Sequence, residues 1–235
     1  MRFIHIADVH LGMQPDAGFP WSEERGEAIW ESFRRIIRLA GREKTDFLLI
    51  AGDLFQCQPL LRELKEVNDL FASIPETIVV LIAGNHDYVK RESFYRGFDW
   101  ADNVVMLLSP EPECVEVPEK KTAVYGCSYD KKEILENRLD GVRPEGKMKY
   151  HLLLAHATCR GIRAAWRRLG LIILRAGTFI SRGFLFPTKW HTQAHSNRRM
   201  RRSWGRTATS AERWTSTARG FSLCRLPDMS TKIWC

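Results

Sequence analysis

Cysteine pairs and long apolar runs are both missing from this 235-residue chain. Its six cysteines are scattered with no Cys-x-x-Cys pair, which argues against a cysteine zinc site and against a disulfide framework. No apolar run reaches the roughly 18 residues that a membrane-spanning helix needs. The first ten residues, MRFIHIADVH, contain an acid and two histidines where a signal peptide needs an uninterrupted apolar stretch. We therefore expect a cytoplasmic protein with no membrane partner.

Acidic residues are scarce in the last third of the chain. Residues 159–235 hold 14 Arg and 2 Lys but only 2 acids, whereas residues 1–158 hold 20 basic and 26 acidic residues. The formal net charge of +8 thus combines −6 in the first segment with +14 in the second. An evolved solvated surface usually mixes Lys with Arg and intersperses acids. The composition predicts two different segments, a core at 1–158 and a basic tail at 159–235.

Strand-like and helix-like stretches alternate through the first segment. Residues 22–43 and the stretch after Pro59 have apolar residues at helical spacing and charged residues on the opposite face. Short apolar runs predict strands between them. These runs are Phe3–Ala7, the runs within DFLLIAGD and TIVVLIAGNHD, 104–108, 123–127 and 150–155. Such alternation predicts an α/β domain with a buried, partly parallel sheet.

Polar residues follow four of the predicted strands directly. In a sheet of this kind, such residues gather beyond the carboxyl ends of the strands, where loops converge on a ligand. A lone Asp-x-His or Gly-Asn-His-Asp is more often a strand end or a turn. Four strand ends in order, with Asp53 45 residues after Asp8 and 32 before Asn85, favour one shared site instead. The polar residues are Asp8, His10, Asp53, Asn85, His86, Asp87 and His156.

Carboxylates, an amide and imidazoles without a thiolate form a ligand set suited to Mn²⁺, Fe²⁺ or Zn²⁺. Because a carboxylate has two oxygens, Asp53 is the natural bridge between two cations. Two ions held about 3.5–4 Å apart can activate a water and clamp the oxygens of an in-line phosphoryl displacement. A histidine outside the metal shell could protonate the leaving group or stabilise the developing charge. The pattern therefore predicts metal-dependent phosphoester hydrolysis.

The segments ADVHLG, IAGDLF, LIAGNHD and LLLAH resemble the successive motifs of the calcineurin-like metallophosphoesterases. Their Asp-x-His-Leu-Gly and Gly-Asp-Leu-Phe forms resemble in particular the DNA repair exonucleases of the SbcD/Mre11 type. The resemblance covers residues 1–158 and implies a sheet sandwich flanked by helices, incomplete at the C-terminus. It also implies a nuclease that uses two divalent metal ions, with Mn²⁺ as the expected metal. DNA, a second copy in a homodimer and an SMC-like ATPase are the partners that it implies.

The resemblance also assigns roles to the polar residues. Asp8 and His10 would bind one metal, and Asp53 would bridge to the other. Asn85 and His156 would bind the second metal, while His86 would be the catalytic histidine, oriented by Asp87. One departure concerns Gln56, which stands where the nuclease pattern often has a histidine three residues after the bridging aspartate. An amide can hydrogen-bond a phosphate, but it cannot donate a proton as an imidazolium can.

Two other histidines, His5 and His151, lie inside apolar strands and are expected to be structural. The pair His191 and His195 is spaced four apart, so on a helix it could form one ligand face. No motif of the family surrounds that pair, and we expect no metal there.

The last motif of the family, Gly-His-x-His, is missing after His156. Residues 169–183, LGLIILRAGTFISRG, can be back-translated and read from the third base of each codon. Permitted codons then give Gly-Phe-Asp-Tyr-Ile-Ala-x-Gly-His-Ile-His-Lys-Pro-Gly. In the same register, KWHTQAHSNR can give Met-Ala-Tyr-Ala-Gly-Ser-Leu-Glu-Pro, which resembles the strand and turn that follow in this family. We therefore predict a frameshift between about Thr158 and Arg168.

An evolved basic arm is the alternative interpretation of the tail, with arginines on phosphates and tryptophans stacked on bases. The irregular apolar spacing of residues 159–235 favours the frameshift and predicts little independent structure. The predicted function is metal-dependent hydrolysis of DNA, impaired in the chain as it stands. A phosphodiesterase for small substrates and a non-catalytic DNA-binding remnant are the other two functional hypotheses.

Overall fold

Two β-sheets pack face to face in the computed structural model of the chain, and two helices cover the outer face of the first sheet. The described residues are 1–134, 138–139, 142–143 and 146–156, together with the backbone of three short strands further along. The elements are β1 (Phe3–Ile6), α1 (Ser22–Glu43), β2 (Phe47–Ala51), α2 (Leu61–Ala72), β3 (Ile78–Ile82), β4 (Val104–Met106), β5 (Glu113–Val117), β6 (Thr122–Gly126), β7 (Tyr150–His156), β8 (Ile172–Ala176), β9 (Leu223–Arg225) and β10 (Lys232–Trp234). The predicted α/β class and its sheet sandwich flanked by helices are confirmed.

The first sheet has the strand order β4-β3-β2-β1-β10-β9. Strands β1 to β4 run parallel to one another, as does β10 beside β1, and only β9 is antiparallel to its neighbour. Parallel pairing brings the carboxyl ends of β1, β2 and β3 to one edge of the sheet. This edge is where the polar loops of the sequence begin.

The second sheet has the order β5-β6-β7-β8, with β5 antiparallel to β6 and the remaining pairs parallel. Strand β7 carries His156 as its last residue, so this histidine belongs to the strand instead of following it. Strand β5 was missed by the sequence analysis. Its sequence ECVEV alternates polar and apolar residues, as expected for a half-exposed edge strand, and this alternation was the available signal.

The strands of the first sheet separate two apolar layers. In β2, Phe47 and Leu49 face the second sheet, whereas Leu48 and Ile50 face the helices. This period of two arises because successive side chains of a strand point to opposite faces. Helix α1 has the bounds predicted from its apolar stripe, and it buries Phe33, Ile36, Ile37 and Ala40 against the sheet. The site is therefore carried by a sheet that is buried on both faces.

The predicted frameshift and the pair His191 and His195 lie outside the described residues. Within 159–235 only the backbone strands β8, β9 and β10 are described. Strand β8 extends the second sheet, with Ala176 paired to His156. Among the described residues, no helix combines the length and the apolarity that crossing a bilayer requires. In the same part of the chain, Cys57 and Cys127 are free thiols.

Candidate metal centre

The predicted ligands come together at the carboxyl edge of the two sheets. Asp8 and His10 lie in the loop after β1, Asp53 lies in the loop after β2, and Asn85 lies in the loop after β3. His156 reaches the same place from β7 of the second sheet. Asp8, His10, Asp53 and His156 are buried, although each is polar or charged. Burial of so many ionisable groups is costly unless they are paired or bind a metal.

The backbone of this edge is held in an uncommon conformation. Asp8, His10 and Asp53 have φ values of 51°, 53° and 51°, in the left-handed region that non-glycine residues seldom adopt. The loops after β1 and β2 are joined by hydrogen bonds from Asp8 N to Gly52 O (3.2 Å) and from His10 N to Asp53 O (3.0 Å). Strained backbone held in this way is frequent at functional sites.

Two glycines let the side chains approach one another closely. A Cβ atom on Gly52 would lie 2.5 Å from Nδ1 of His156, and one on Gly84 would lie 2.2 Å from Oδ1 of Asp53. Any other residue at these positions would displace a predicted ligand. Both glycines therefore serve the packing of the site as well as the turns.

Asp53 is the central residue of the cluster. Its Oδ2 lies 3.5 Å from Nε2 of His156 and 3.8 Å from Nε2 of His10, while its Oδ1 accepts a hydrogen bond from His86 N at 2.8 Å. Within the described residues, Oδ2 is buried and accepts no hydrogen bond. A buried carboxylate oxygen without a donor is unfavourable in the protein alone, and it suits a cation.

The ligand atoms form two groups that share Asp53. One group consists of His10, Asp53 and His86, and the other of Asp8, Asp53 and His156, with the atoms of each group within 4.8 Å of one another. Asn85 joins the second group, because its Oδ1 lies 2.8 Å from Nε2 of His156. The sharing fits the bridging role expected of Asp53. The groups place His86 with His10 and Asp53, whereas the resemblance kept His86 outside the metal shell. In the pair that the resemblance assigned to one metal, Asp8 Oδ1 lies 4.0 Å from Nε2 of His10.

Burial raises the pKa of Asp8 and of Asp53 to about 6, against an ordinary value of 3.8. For Asp8, the charge of His156 opposes this rise and the charge of Asp53 adds to it. Two buried carboxylates that disfavour their own charge are stabilised when a cation binds between them. The donor set of oxygens and imidazoles is the one that borderline and hard divalent cations prefer. The residues present therefore fit a divalent metal.

The raised pKa of Asp53 predicts that Asp53→Asn stabilises the metal-free chain near pH 8. Since the folded pKa is above the unfolded one, stability falls as pH rises from 4 through about 6, where the buried group ionises. Removing that charge should add on the order of 1–3 kcal/mol at pH 8 and nothing below pH 4. Urea unfolding with a chelator at several pH values measures this difference.

The matched control is Asp46→Asn. Burial raises the pKa of Asp46, but hydrogen bonds from Lys120 and from Arg2 N outweigh it and lower the pKa overall. Neutralising Asp46 should therefore reduce stability at pH 8, a change of opposite sign. A loss of stability with Asp53→Asn in the chelated protein would contradict the prediction.

His86 is oriented by a main-chain carbonyl. Its Nδ1 lies 3.0 Å from Gln56 O, and because a carbonyl only accepts, Nδ1 must carry the hydrogen. Nε2 is then the nitrogen left to exchange a proton or to bind a metal. The Gln56 amide nitrogen lies 3.5 Å from the same Nδ1. Gln56 thus contributes mainly through its backbone, which any residue type at this position would supply.

Asp87 does not orient His86 by contacting its ring. Its Oδ1 accepts from Gly84 N at 2.8 Å, and its Oδ2 accepts from Phe55 N at 3.2 Å and from the Tyr95 hydroxyl at 3.0 Å. The carboxylate therefore braces the loops after β2 and β3.

His156 is held in a similar way, with Nδ1 2.9 Å from Ala51 O. A carbonyl partner on one ring nitrogen leaves the other as a ligand, an arrangement common around metals. Tyr129 packs edge-on against the His156 ring, with centroids 5.3 Å apart. Tyr95, Tyr129 and the two carbonyls were missed by the sequence analysis. Every residue has a main-chain carbonyl, so no sequence signal could have shown that these two carbonyls bind the histidines.

The two expected structural histidines lie away from this edge. His5 is inside β1, and burial lowers its pKa to about 3, so it is neutral at physiological pH. Nδ1 of His151 lies 3.1 Å from the Tyr125 hydroxyl on the second sheet. Both positions agree with a structural part in their strands.

The sandwich is an α/β domain whose one edge carries a candidate metal centre of carboxylates and imidazoles. A family model described as calcineurin-like phosphoesterase matches residues 1–167. The chain belongs to this family, which is one of metal-dependent phosphoester hydrolases.

Several curated proteins are similar to the chain. The uncharacterized metallophosphoesterase YhaO of Bacillus subtilis is 30% identical over 172 residues, which are 68% of this chain and 41% of that protein. The DNA double-strand break repair protein Mre11 of Archaeoglobus fulgidus is 41% identical over 95 residues, 39% of this chain and 20% of its own length. Mre11 of Saccharolobus solfataricus is 28% identical over 173 residues, 66% of this chain and 41% of its own length.

The chain therefore spans at most about two fifths of these relatives, whose matched shares are 41%, 20% and 41%. Among solved structures, the Pseudomonas putida nuclease MPE matches with 21% identity and a TM-score of 0.31, over 64% of this chain and 59% of that one. A likeness at that level carries no argument about fold or activity.

Proposed function

We propose that the chain carries the site of a metal-dependent phosphodiesterase that acts on DNA. The observation that carries the proposal is the position of Asp53 Oδ2, which lies 3.8 Å from Nε2 of His10 and 3.5 Å from Nε2 of His156 and accepts no hydrogen bond from the described residues. A bridging carboxylate of this kind suits two divalent ions, and we propose Mn²⁺ for them. Bound there, the ions would activate a water and neutralise charge on the phosphate.

We assign the metal-binding, proton-donating and positioning roles to side chains of this chain. Asp8, His10, Asp53, Asn85 and His156 would hold the metal. As an imidazolium, His86 would donate its Nε2 proton to the leaving oxygen and return to the neutral ring, whose Nδ1–H is engaged with Gln56 O. Asp87 would act as a positioning residue through the loops that it braces.

DNA as the substrate rests on two supports. The motif forms Asp-x-His-Leu-Gly and Gly-Asp-Leu-Phe resemble the repair nucleases, and several relatives are named DNA double-strand break repair proteins. A homodimer and an SMC-like ATPase belong to the same proposal. Since the sequence lacks the two histidines of Gly-His-x-His, each ion would miss one ligand. We propose that the activity of the chain is impaired for that reason.

The test combines Mn²⁺ titration calorimetry with two substrates. We expect weak binding of Mn²⁺ that Asp53→Asn abolishes, and slow Mn²⁺-dependent cleavage of linear duplex DNA. Bis(p-nitrophenyl) phosphate serves as the small substrate, and Asp46→Asn is the control for a lost carboxylate outside the site. Cleavage of the small diester without cleavage of DNA would indicate a small-substrate phosphodiesterase. Binding of DNA with no turnover of either substrate would indicate a remnant, and both outcomes would refute the proposal.

A further inference from the structure

Two hydrogen bonds running in opposite directions join the loops after β2 and β3. Asp53 in the first loop accepts from His86 N in the second at 2.8 Å, and Asp87 in the second accepts from Phe55 N in the first at 3.2 Å. Each loop thus supplies one carboxylate to the other. We call these four residues the loop brace.

On the Asp87 side of the loop brace, neither Asp87 nor Phe55 belongs to either group of candidate ligands. Asp87 is fully buried, and such a charge is retained only when its lone pairs are satisfied. Two of its donors are main-chain groups, Gly84 N and Phe55 N. The third is the hydroxyl of Tyr95, which is 1% exposed and donates to Oδ2 at 3.0 Å.

Tyr95 is itself firmly placed. It lies in a short 3-10 helix, Phe94–Gly97, that is capped by the side chain of Ser93. Its ring packs near Phe55 and Trp100, with centroids 6.3 Å and 6.5 Å away. The phenol therefore holds the Asp87 carboxylate at Oδ2, the oxygen that also accepts from Phe55 N.

A path of direct contacts leads from this phenol to His86. The Tyr95 hydroxyl bonds Asp87, Asp87 bonds Phe55 N, and the next residue, Gln56, presents the carbonyl that fixes Nδ1 of His86. We propose that Tyr95 is a positioning residue that keeps the His86 imidazole aligned with its Nε2 toward the metal edge. This inference rests on the proposed function only in the role given to His86 as a proton donor.

Tyr95→Phe tests the proposal, because it removes the hydroxyl and keeps the ring. Asp87 Oδ2 would then retain one donor, and a hydrogen bond to a charged group is among the stronger ones. In the 235-residue chain, we expect solvent exchange of the Phe55 amide hydrogen to speed up about tenfold or more. We also expect the two ring ¹⁵N resonances of His86 to move toward each other as the Nδ1–H tautomer loses its preference. Where turnover is measurable, kcat should fall and KM should stay.

Tyr125→Phe is the matched control. It removes another buried phenol, whose hydroxyl lies 3.1 Å from Nδ1 of His151 on the second sheet. It should lower stability without changing the His86 resonances or the exchange of Phe55. Unchanged His86 and Phe55 signals in Tyr95→Phe would overturn the proposal. Absence of turnover in the parent chain would count against the proposed function, and the resonance readout would still decide the part played by Tyr95.

If Tyr95→Phe does not fold, hydrogen exchange in the unmodified chain tests the proposal instead. The Phe55 amide should then exchange far more slowly than the amide of exposed Cys57 in the same loop. The Tyr95 hydroxyl proton should be visible by NMR as a slowly exchanging signal. Exchange of Phe55 as fast as Cys57 would overturn the proposal.

Discussion

Replacement of His86 by alanine is expected to lower phosphodiester turnover by roughly 10²–10⁴-fold, the usual range for loss of a general acid. The imidazole is oriented through Nδ1 by Gln56 O, which leaves Nε2 for the leaving oxygen. Alanine removes the proton donor and leaves the backbone amide of residue 86 on Asp53. Initial rates on bis(p-nitrophenyl) phosphate at saturating Mn²⁺ measure the effect, in whichever form of the chain turns over.

Metal content decides whether His86 is a proton donor or a ligand. If it is a proton donor, His86→Ala should bind Mn²⁺ about as well as the parent chain. The geometry also allows His86 to be a metal ligand, because it lies in one candidate ligand group with His10 and Asp53. Loss of bound metal in His86→Ala would show that the assigned role is wrong. His151→Ala, a change on the second sheet, controls for the removal of an imidazole elsewhere.

Restoring the reading frame near codon 160 is expected to recover metal affinity and nuclease turnover together. The restored codons of residues 176–180 would encode Gly-His-Ile-His directly after the position of β8. Ala176 pairs with His156 in parallel, so the new histidines would begin at the edge that carries the other ligands. Loss of a residue that only hydrogen-bonds a metal ligand already lowers metal affinity or activity about 10–100-fold. We therefore expect Mn²⁺ to bind at least about tenfold more tightly in the restored chain.

Truncation of the tail is a second test of the frameshift interpretation. The 235-residue chain should be poorly stable and nearly inactive, and deletion of residues 160–235 should cost little further activity. A chain ending at Ala176 is the control, because it keeps β8 beside β7. Sequencing the coding DNA across codons 155–170 would locate the shift directly. If the deletion abolished a robust Mn²⁺-dependent nuclease, the tail would be a functional element and the frameshift interpretation would be wrong.

Much of the fold could be predicted because residues 1–158 obey strong local periodicities. The stripe of α1 predicted its bounds at Ser22–Glu43, and the apolar run of β2 predicted a strand that is buried on both faces. Edge strand β5 was missed because its side chains are largely exposed, so burial leaves only a weak pattern. In the tail the amino-acid pattern has no period, and only the codon register predicts the missing motif of the family.

The candidate ligands were predictable because glycine turns and polar side chains directly follow apolar runs, a pattern that parallel strands convert into one shared edge. The sequence by itself determined which residue types gather there. Only the tertiary structure decided their grouping, in which Asp53 lies between His10 and His156. It also decided that Gln56 O orients His86 and that Tyr95 holds Asp87. The physical reason is that these contacts join segments distant in the chain, some of them through main-chain atoms that every residue possesses.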